Sequence, residues 1–229
     1  MSADREEKLQ RYRHLRAINK QQQSAALSSV STTALLDCAR RLGLRRGRTI
    51  TLGSEDEMNL IYDLVVHTRL GDRSPAIARY AAKIQPPPGS DAEKMLVAIR
   101  SAHFAILEVE RRDETVGIHV RDIVSNEVHW LIDEGLEASS KLGHTFASRL
   151  MAVDDFVMTC GVIVPMNELV LMEAWRSMPR VSSASRIELM QDPRLATALY
   201  RAALNVGAMD GVQFLDPGTG QIEAALLAG

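Results

Sequence analysis

The sequence is poor in aromatic residues, cysteine and long apolar runs, and each shortage excludes a class of protein. Aromatic residues make up only 4% of the 229 residues, so a core must be built mainly from Leu, Ile, Val, Met and Ala. The two cysteines, Cys38 and Cys160, are far apart, which argues against a disulfide scaffold and favours a reducing compartment. No run of about 18 apolar residues marks a membrane span, and the polar N-terminus lacks the apolar core of a signal peptide. We therefore expect a soluble cytoplasmic protein.

The short motifs that mark common enzyme classes are missing as well. The chain has no G-x-S-x-G nucleophile turn, no H-E-x-x-H metal helix and no C-x-x-C pair. It also lacks the loops G-x-G-x-x-G and G-x-x-x-x-G-K-[ST], which hold dinucleotides and nucleotide phosphates. From these absences we expect a protein without a bound cofactor that does not act as an enzyme, and we assign no catalytic residue.

The central part of the chain, from His103 to Asn167, alternates apolar and polar residues between turn signals. A period of two with β-branched residues is typical of consecutive antiparallel strands. The flanking parts repeat apolar residues every three or four positions, which indicates helices. The sequence therefore predicts an α+β fold, with a helical N-terminal region, a central four- to five-stranded antiparallel meander or partly open barrel, and C-terminal helices.

Breaks in this pattern divide the chain into four predicted regions. They are a helical region with a basic N-terminal arm (1–85), a stiff Pro-rich break (86–89), a β-meander domain with a leading helix (90–166), and C-terminal helices with a Ser-rich turn and a tail (167–229). Two capping boxes, Ser54 to Glu57 and Ser90 to Glu93, predict the starts of two helices.

Positive charge is concentrated at the N-terminus, although the formal net charge of the chain is only -2. The first 48 residues hold 11 Lys or Arg against 4 Asp or Glu, and the remainder holds 16 against 25. Because such an arm can follow a phosphate backbone, nucleic-acid binding is predicted for Arg11, Arg13, Arg16, Lys20, Arg45, Arg46 and Arg48. A solvated helix face, or an arm that docks on the acidic remainder of a partner subunit, explains the same charge equally well.

Two histidines on neighbouring predicted strands form a second candidate site. An inward-facing Val120 places His119 outside, and an inward-facing Trp130 on the next strand places His129 and Asp133 outside. Pairing of the strands would gather His119, His129 and Asp133 on one surface, where they could bind a divalent metal ion or share acid–base work. A solvated sheet face with cross-strand charge pairs explains the same pattern.

The segment from Ala105 to Pro165 resembles a β-meander found in uncharacterised bacterial proteins. The shared pattern is a strand that ends in an Arg-Asp pair, here Arg121-Asp122, followed by a tight turn, here Ser125-Asn126, and a Glu. The preceding segment LGSEDEMNLIYDLVVHT is similar to the same group. The resemblance implies a family of unknown function and carries over no activity.

Three functions stay open at this stage. The leading hypothesis is a non-enzymatic protein that acts through protein–protein interaction or self-association, with a protein partner or a second copy of itself. The alternatives are nucleic-acid binding through the basic arm and a metal-dependent hydrolase at His119 and His129. No interaction with a membrane is expected.

Overall fold

Helices form both flanks of the chain, as the spacing of apolar residues predicts. The computed structural model describes residues 3–69, 71–178 and 192–210, so the predicted Ser-rich turn (179–191) and C-terminal tail (211–229) lie outside the described residues. The helices are α1 (Ala3–Leu27), α2 (Thr32–Leu42), α3 (Glu55–His67), α4 (Ala76–Ala81), α5 (Asp91–Arg100), α6 (Glu134–Ser139), α7 (Glu168–Ser177) and α8 (Pro193–Asn205). No helix among the described residues combines the length and the apolar composition needed to cross a membrane.

Short polar residues set several of the helix boundaries. Ser31 accepts a hydrogen bond from the first turn of α2, and Gly43, with φ of 83°, ends that helix in the left-handed conformation. Ser90 caps α5 in the same way: its hydroxyl oxygen accepts from the backbone nitrogen of Glu93 at 3.2 Å. The other predicted capping box is only half formed, because the Ser54 side chain makes no cap bond. The Glu57 carboxylate of this box instead accepts a hydrogen bond from the backbone nitrogen of Gly53, the residue before the serine.

The central strands close into a barrel. After a small hairpin of β1 (Arg45–Arg46) and β2 (Thr49–Ile50), the barrel strands are β3 (His103–Arg112), β4 (Ile118–Asp122), β5 (Val128–Leu131), β6 (Thr145–Val153) and β7 (Phe156–Pro165). Their order around the barrel is β3-β4-β5-β7-β6, and β5 and β7 are the one parallel pair in it. The predicted α+β class and the five strands are confirmed. The barrel is closed, and α6 carries the chain across it between β5 and β6.

This Greek-key order is the one that OB-fold barrels use. A shared strand order describes a scaffold and does not assign a function, which depends on the side chains that the scaffold carries.

Apolar side chains fill the inside of the barrel. The cluster includes Leu107 and Val109 from β3 and Ile118 and Val120 from β4, of which Val120 is the residue that the sequence analysis placed inside. Outside the barrel, the packed helices form a second and larger cluster, to which α1 contributes Leu9, Tyr12 and Leu15.

The predicted orientation of β5 is wrong. Val120 is paired with His129, and His119 is paired with Trp130. Residues that lie directly opposite each other share a face of the sheet. His129 therefore faces the barrel interior, whereas Trp130 lies outside with His119.

Candidate functional site

The basic side chains of α1 face the barrel of their own chain and pair with carboxylates there. Arg11 donates two hydrogen bonds to Asp91, at 2.5 and 2.7 Å, and a third to Asp154 at 2.8 Å. These bonds lower the pKa of Asp91 to about 2. Arg13 donates to Glu134 at 2.6 Å. Paired guanidinium and carboxylate groups of this geometry are stronger than neutral hydrogen bonds. The basic arm is thus docked on acidic groups within one chain.

Two further contacts hold α1 along its length. Arg16 donates to the main-chain oxygen of Thr159 at 2.5 Å. Lys8 lies 2.7 Å from a carboxylate oxygen of Asp155 and 5.1 Å from the centroid of the Trp130 ring, where a cation and an aromatic face attract each other. The helix is therefore fixed to the barrel by side chains spread over its first four turns.

The position of α1 decides which surface of the barrel is free. OB-fold barrels bind oligonucleotides on the face of their second and third strands and on the loops after their first and fourth strands. In this chain, Arg5 donates to the main-chain oxygen of Thr115 in the first of these loops, and Lys8 and Arg11 reach the second. Because α1 covers the surface between the two loops, that surface is occupied by the chain itself.

The remaining predicted nucleic-acid contacts lie elsewhere. Arg45, Arg46 and Arg48 are on the β1–β2 hairpin, and the Nε of Arg45 donates to the oxygen of Gly47 at 2.6 Å. Arg46, Arg48 and Lys20 are exposed and form no ion pair with another described residue. The seven predicted cations therefore form two groups. Arg11, Arg13 and Arg16 pair with carboxylates of the same chain, whereas Lys20, Arg45, Arg46 and Arg48 still present their charge to solvent.

The three predicted metal ligands do not meet. His119 lies outside the barrel with its Nε2 2.9 Å from Asp113, whereas the Nε2 of His129 is buried and has no hydrogen-bond partner among the described residues. Asp133 caps α6 and accepts from the Thr159 hydroxyl at 3.0 Å. In the described part of the chain, no group of three or more His, Cys, Asp or Glu residues is placed to hold a metal ion.

Both cysteines lie in the core. Cys38 and Cys160 are buried free thiols. Burial raises the pKa of each to about 12. Such a pKa keeps the thiol protonated at neutral pH, which fits a role in core packing.

An apolar groove of about 440 Å³ lies between α7, α8 and the loop that joins β4 to β5. Its apolar lining consists of Ile106, Ile123, Val124, Leu171, Met172, Ala174, Trp175, Leu195 and Leu199. Trp175 is 61% exposed, and Leu171 and Met172 are about 40% exposed. Large apolar side chains that share an exposed surface mark sites of interaction. We call this feature the α7 groove.

Helix α7 creates the groove because it is apolar on two faces. Val170 and Ala174 are buried against the rest of the fold, whereas Leu171, Met172 and Trp175 point away from it. A surface helix of a globular protein normally has one apolar stripe. The signal in the sequence that could have indicated the groove is this doubled apolar pattern. It lies in the Met-rich segment from Met166 to Met178, whose composition fits a core and an interface equally well.

The loop wall of the α7 groove is held in place by hydrogen bonds. An oxygen of the buried Asp122 carboxylate accepts from the Val124 nitrogen at 2.8 Å. The Ile123 nitrogen donates to the Ile106 oxygen at 3.0 Å. The groove is therefore preformed, which reduces the conformational entropy that a bound segment would cost.

A buried group of charged and polar side chains, which sequence reasoning missed, connects three elements of the fold. The Nε of Arg149 on β6 lies 2.9 and 3.0 Å from the two carboxylate oxygens of Asp63 on α3. Asp63 also accepts from the Tyr200 hydroxyl on α8 at 2.8 Å, and Arg149 donates to Thr68 at 3.0 Å. Burial and the nearby carboxylate raise the pKa of Tyr200, so its hydroxyl stays a donor. The group is fully paired and closed to solvent, which fits a structural role.

Comparison with protein families gives one result. The model of a family of unknown function (DUF7986) matches residues 6–186, which include the barrel, α7 and all but the first three residues of α1. The expected membership of a family of unknown function is thereby confirmed. Neither curated proteins nor solved structures provide a match to the chain.

Proposed function

The chain belongs to a family of unknown function (DUF7986), and from its own residues we propose a non-enzymatic protein that self-associates through the α7 groove. The observation that carries the proposal is the exposed Trp175 on a helix that also lines a preformed apolar groove. The proposed occupant of the groove is the same region of a second copy.

A second copy fits because side chains that line the groove are also exposed. Leu171, Met172 and Trp175 line the cavity and are about 40 to 61% exposed. In a dimer with two-fold symmetry, each copy presents the same patch to the other. The exposed side chains of α7 in one copy can then pack against the groove of its partner, so that both apolar surfaces are buried.

The size of the patch supports the same proposal. Partial exposure of one Trp, one Met, one Leu, one Ile and one Val side chain offers on the order of 400 Å² of apolar surface. A standard interface buries about 800 Å² per partner, of which somewhat more than half is apolar. The patch can therefore supply most of the apolar area that a stable dimer requires.

Charge favours an apolar contact over an electrostatic one. The cations of α1 that could have docked on a partner subunit pair with Asp91, Asp154 and Glu134 in the same chain. Self-association through the α7 groove should therefore persist at high salt, because screening weakens contacts between exposed charges and not apolar burial.

The proposal is tested by analytical ultracentrifugation of the purified chain from about 1 to about 100 µM, at about 0.1 and 1 M NaCl. We expect a monomer–dimer equilibrium at both salt concentrations. Replacing Trp175 and Leu171 together by Ser should weaken the dimer at least about 30-fold, since a central Trp commonly contributes 2 kcal/mol or more.

Leu142→Ser is the matched control. Leu142 is 68% exposed but belongs to the loop before β6 and does not line the α7 groove. The control should leave the dimerisation constant unchanged. A wild-type chain that remains monomeric over the whole range, or equal losses in both variants, would overturn the proposal.

Nucleic-acid binding remains as a second candidate, because Arg46 and Arg48 are exposed on the hairpin without an acidic partner among the described residues. If the hairpin follows a phosphate backbone, Arg46→Gln with Arg48→Gln should reduce the salt dependence of duplex binding by about two phosphate contacts. Arg11→Gln should have no such effect, since its guanidinium is already engaged. Absence of salt-dependent binding by the wild-type chain would exclude this candidate.

A reducing compartment, such as the cytoplasm, is part of the proposal. It is supported by two thiols that are buried and free. Expression of a fluorescent fusion in the source cells, with fractionation as a check, would test it.

A further inference from the structure

A second cavity has a volume of about 310 Å³. Unlike the apolar α7 groove, it is lined by polar hydrogen-bond donors. It is bounded by the N-terminal end of α2, the C-terminal end of α3 and the segment that leads into α4. Its wall contains two guanidinium groups, Arg73 and Arg79, and the hydroxyl groups of Ser29, Ser31 and Ser74. No Asp or Glu of the described chain lines it. The cavity thus carries positive charge without a neighbouring carboxylate.

The two arginines are positioned by contacts that leave most of their donors unused. Nη1 of Arg73 donates to the Ser31 hydroxyl at 3.3 Å. Nη1 of Arg79 donates to the main-chain oxygen of Ser74. A guanidinium has five N–H donors, so each keeps several for a ligand. Neither arginine forms an ion pair with another residue in the described ranges.

The local backbone adds to the same preference. Ser31 is the N-cap of α2, a helix of 11 residues whose first turn contains no acidic side chain. The positive end of that helix dipole lies at the cavity that the two arginines line, and both effects favour an anion.

One part of the cavity wall is apolar. Val30, Ala34 and Val65 line it beside the serines. The cavity volume lies at the lower end of the range typical of small-molecule sites, about 300–1,000 Å³, and exceeds what a bare phosphate group fills. A ligand that uses the whole cavity must combine an anionic head with a small organic part.

We propose that this cavity binds a phosphomonoester, with its phosphate between Arg73 and Arg79 and its organic part against Val30, Ala34 and Val65. The planar guanidinium fork matches phosphate oxygens, and the hydroxyls of Ser31 and Ser74 can donate to the remaining ones. This site is separate from the α7 groove and does not depend on self-association.

Isothermal titration calorimetry with phenyl phosphate and with inorganic phosphate tests the site. We expect saturable binding of both, with phenyl phosphate several-fold tighter because its ring covers the apolar wall. Arg73→Gln and Arg79→Gln should each weaken binding about ten-fold or more, the effect of losing one charge-assisted hydrogen-bonding partner. Arg79→Lys keeps the charge but loses the fork, and it should recover only part of the affinity.

Arg111→Gln is the matched control, because it removes one exposed arginine outside the cavity. It should bind phenyl phosphate as the wild type does. Thermal unfolding of each variant checks that the fold is intact. Absence of saturable binding by the wild-type chain, or unchanged affinity in Arg73→Gln and Arg79→Gln, would overturn the proposal.

A phosphomonoester can come from a free small molecule or from the headgroup of a phosphatidate lipid. Sedimentation with vesicles of phosphatidylcholine containing phosphatidate separates the two sources. Binding of phenyl phosphate without vesicle binding assigns the free molecule, whereas vesicle binding that is lost in Arg79→Gln assigns the headgroup. Vesicle binding that Arg79→Gln leaves intact would contradict a headgroup site at this cavity.

Discussion

Replacement of Arg149 by Met is expected to lower the free energy of unfolding by about 3–5 kcal/mol, because the Asp63 carboxylate would stay buried without its counter-charge. The side chains of Arg149 and Asp63 are only 8% and 3% exposed, so solvent cannot replace the lost guanidinium. The Tyr200 hydroxyl would remain as a hydrogen-bond donor to the carboxylate. One neutral donor cannot offset the desolvation of a full charge.

The double variant Asp63→Asn with Arg149→Met separates the pair from its surroundings. Removal of both charges leaves no isolated ion in the interior, so much of the loss should be recovered. We expect the double variant to be more stable than Arg149→Met alone by about 2 kcal/mol. Measured together with the single variant Asp63→Asn, this would make the two single losses far from additive.

Urea denaturation followed by tryptophan fluorescence gives the free energies, with Arg111→Met as a control. Arg111 is an exposed arginine on the neighbouring strand β3, and its replacement should change stability by less than about 0.5 kcal/mol. If Arg149→Met lost no more than this control, or if the double variant showed the sum of the single losses, the buried pair would not be coupled.

Three further predictions concern strain, protonation and the docking of α1. Gly117→Ala should destabilise the fold by several kcal/mol more than Gly143→Ala in urea denaturation. Both glycines have a positive φ (83° and 78°), but only at Gly117 would an added Cβ clash, since it would lie 2.4 Å from the Leu131 oxygen. Equal losses would refute the steric reasoning. Burial lowers the pKa of His67 to about 4 from 6.5, so its contribution to stability is complete above pH 6.5 and is lost as the pH falls towards 4. His67→Gln should therefore remove about 2–3 kcal/mol of the stability difference between about pH 7 and 4.5, and an unchanged difference would contradict it. Arg11→Met should cost about 1–2 kcal/mol in thermal unfolding, and the loss should shrink at about 1 M NaCl because its ion pairs are partly exposed; no loss at low salt would refute this.

Features of the fold that depend on neighbouring residues could be predicted from the sequence. The cap at Ser90 and the helix that follows it are local, since they involve atoms a few residues apart. The strand pattern between His103 and Asn167 was equally clear, because apolar residues alternate along strands that have a filled interior. Closure of the barrel was harder to predict, since one parallel contact, between Leu131 and Val157, completes it.

The orientation of β5 could not be read from alternation because both faces of this strand carry apolar residues. Trp130 lies outside the barrel, yet its ring is covered by Lys8 and packs against Phe156 with centroids 6.1 Å apart. His129 lies inside, so the usual rule that the polar residue faces outward fails here. A strand covered on both faces does not reveal its orientation by polarity.

The candidate sites depend on contacts between distant parts of the chain. Arg11 and Asp154 are 143 residues apart in sequence, and Arg13 and Glu134 are 121 apart. No spacing rule connects residues at such separations, so the neutralisation of the arm was visible only in the structure. The doubled apolar pattern of α7 was visible in the sequence, but the loop that completes its groove was not.

The contacts of α1 also set the order in which the molecule can assemble during synthesis. The helix leaves the ribosome before the elements that it contacts, and its partners extend to Thr159, 143 residues after Arg16. At about 5–20 residues per second, translation of that interval takes roughly 7–30 s. A helix with a narrow apolar face is marginal without tertiary packing. Thus α1 is made before the elements it docks on, and during this interval the nascent chain exposes a basic segment before its acidic partners have all been synthesised.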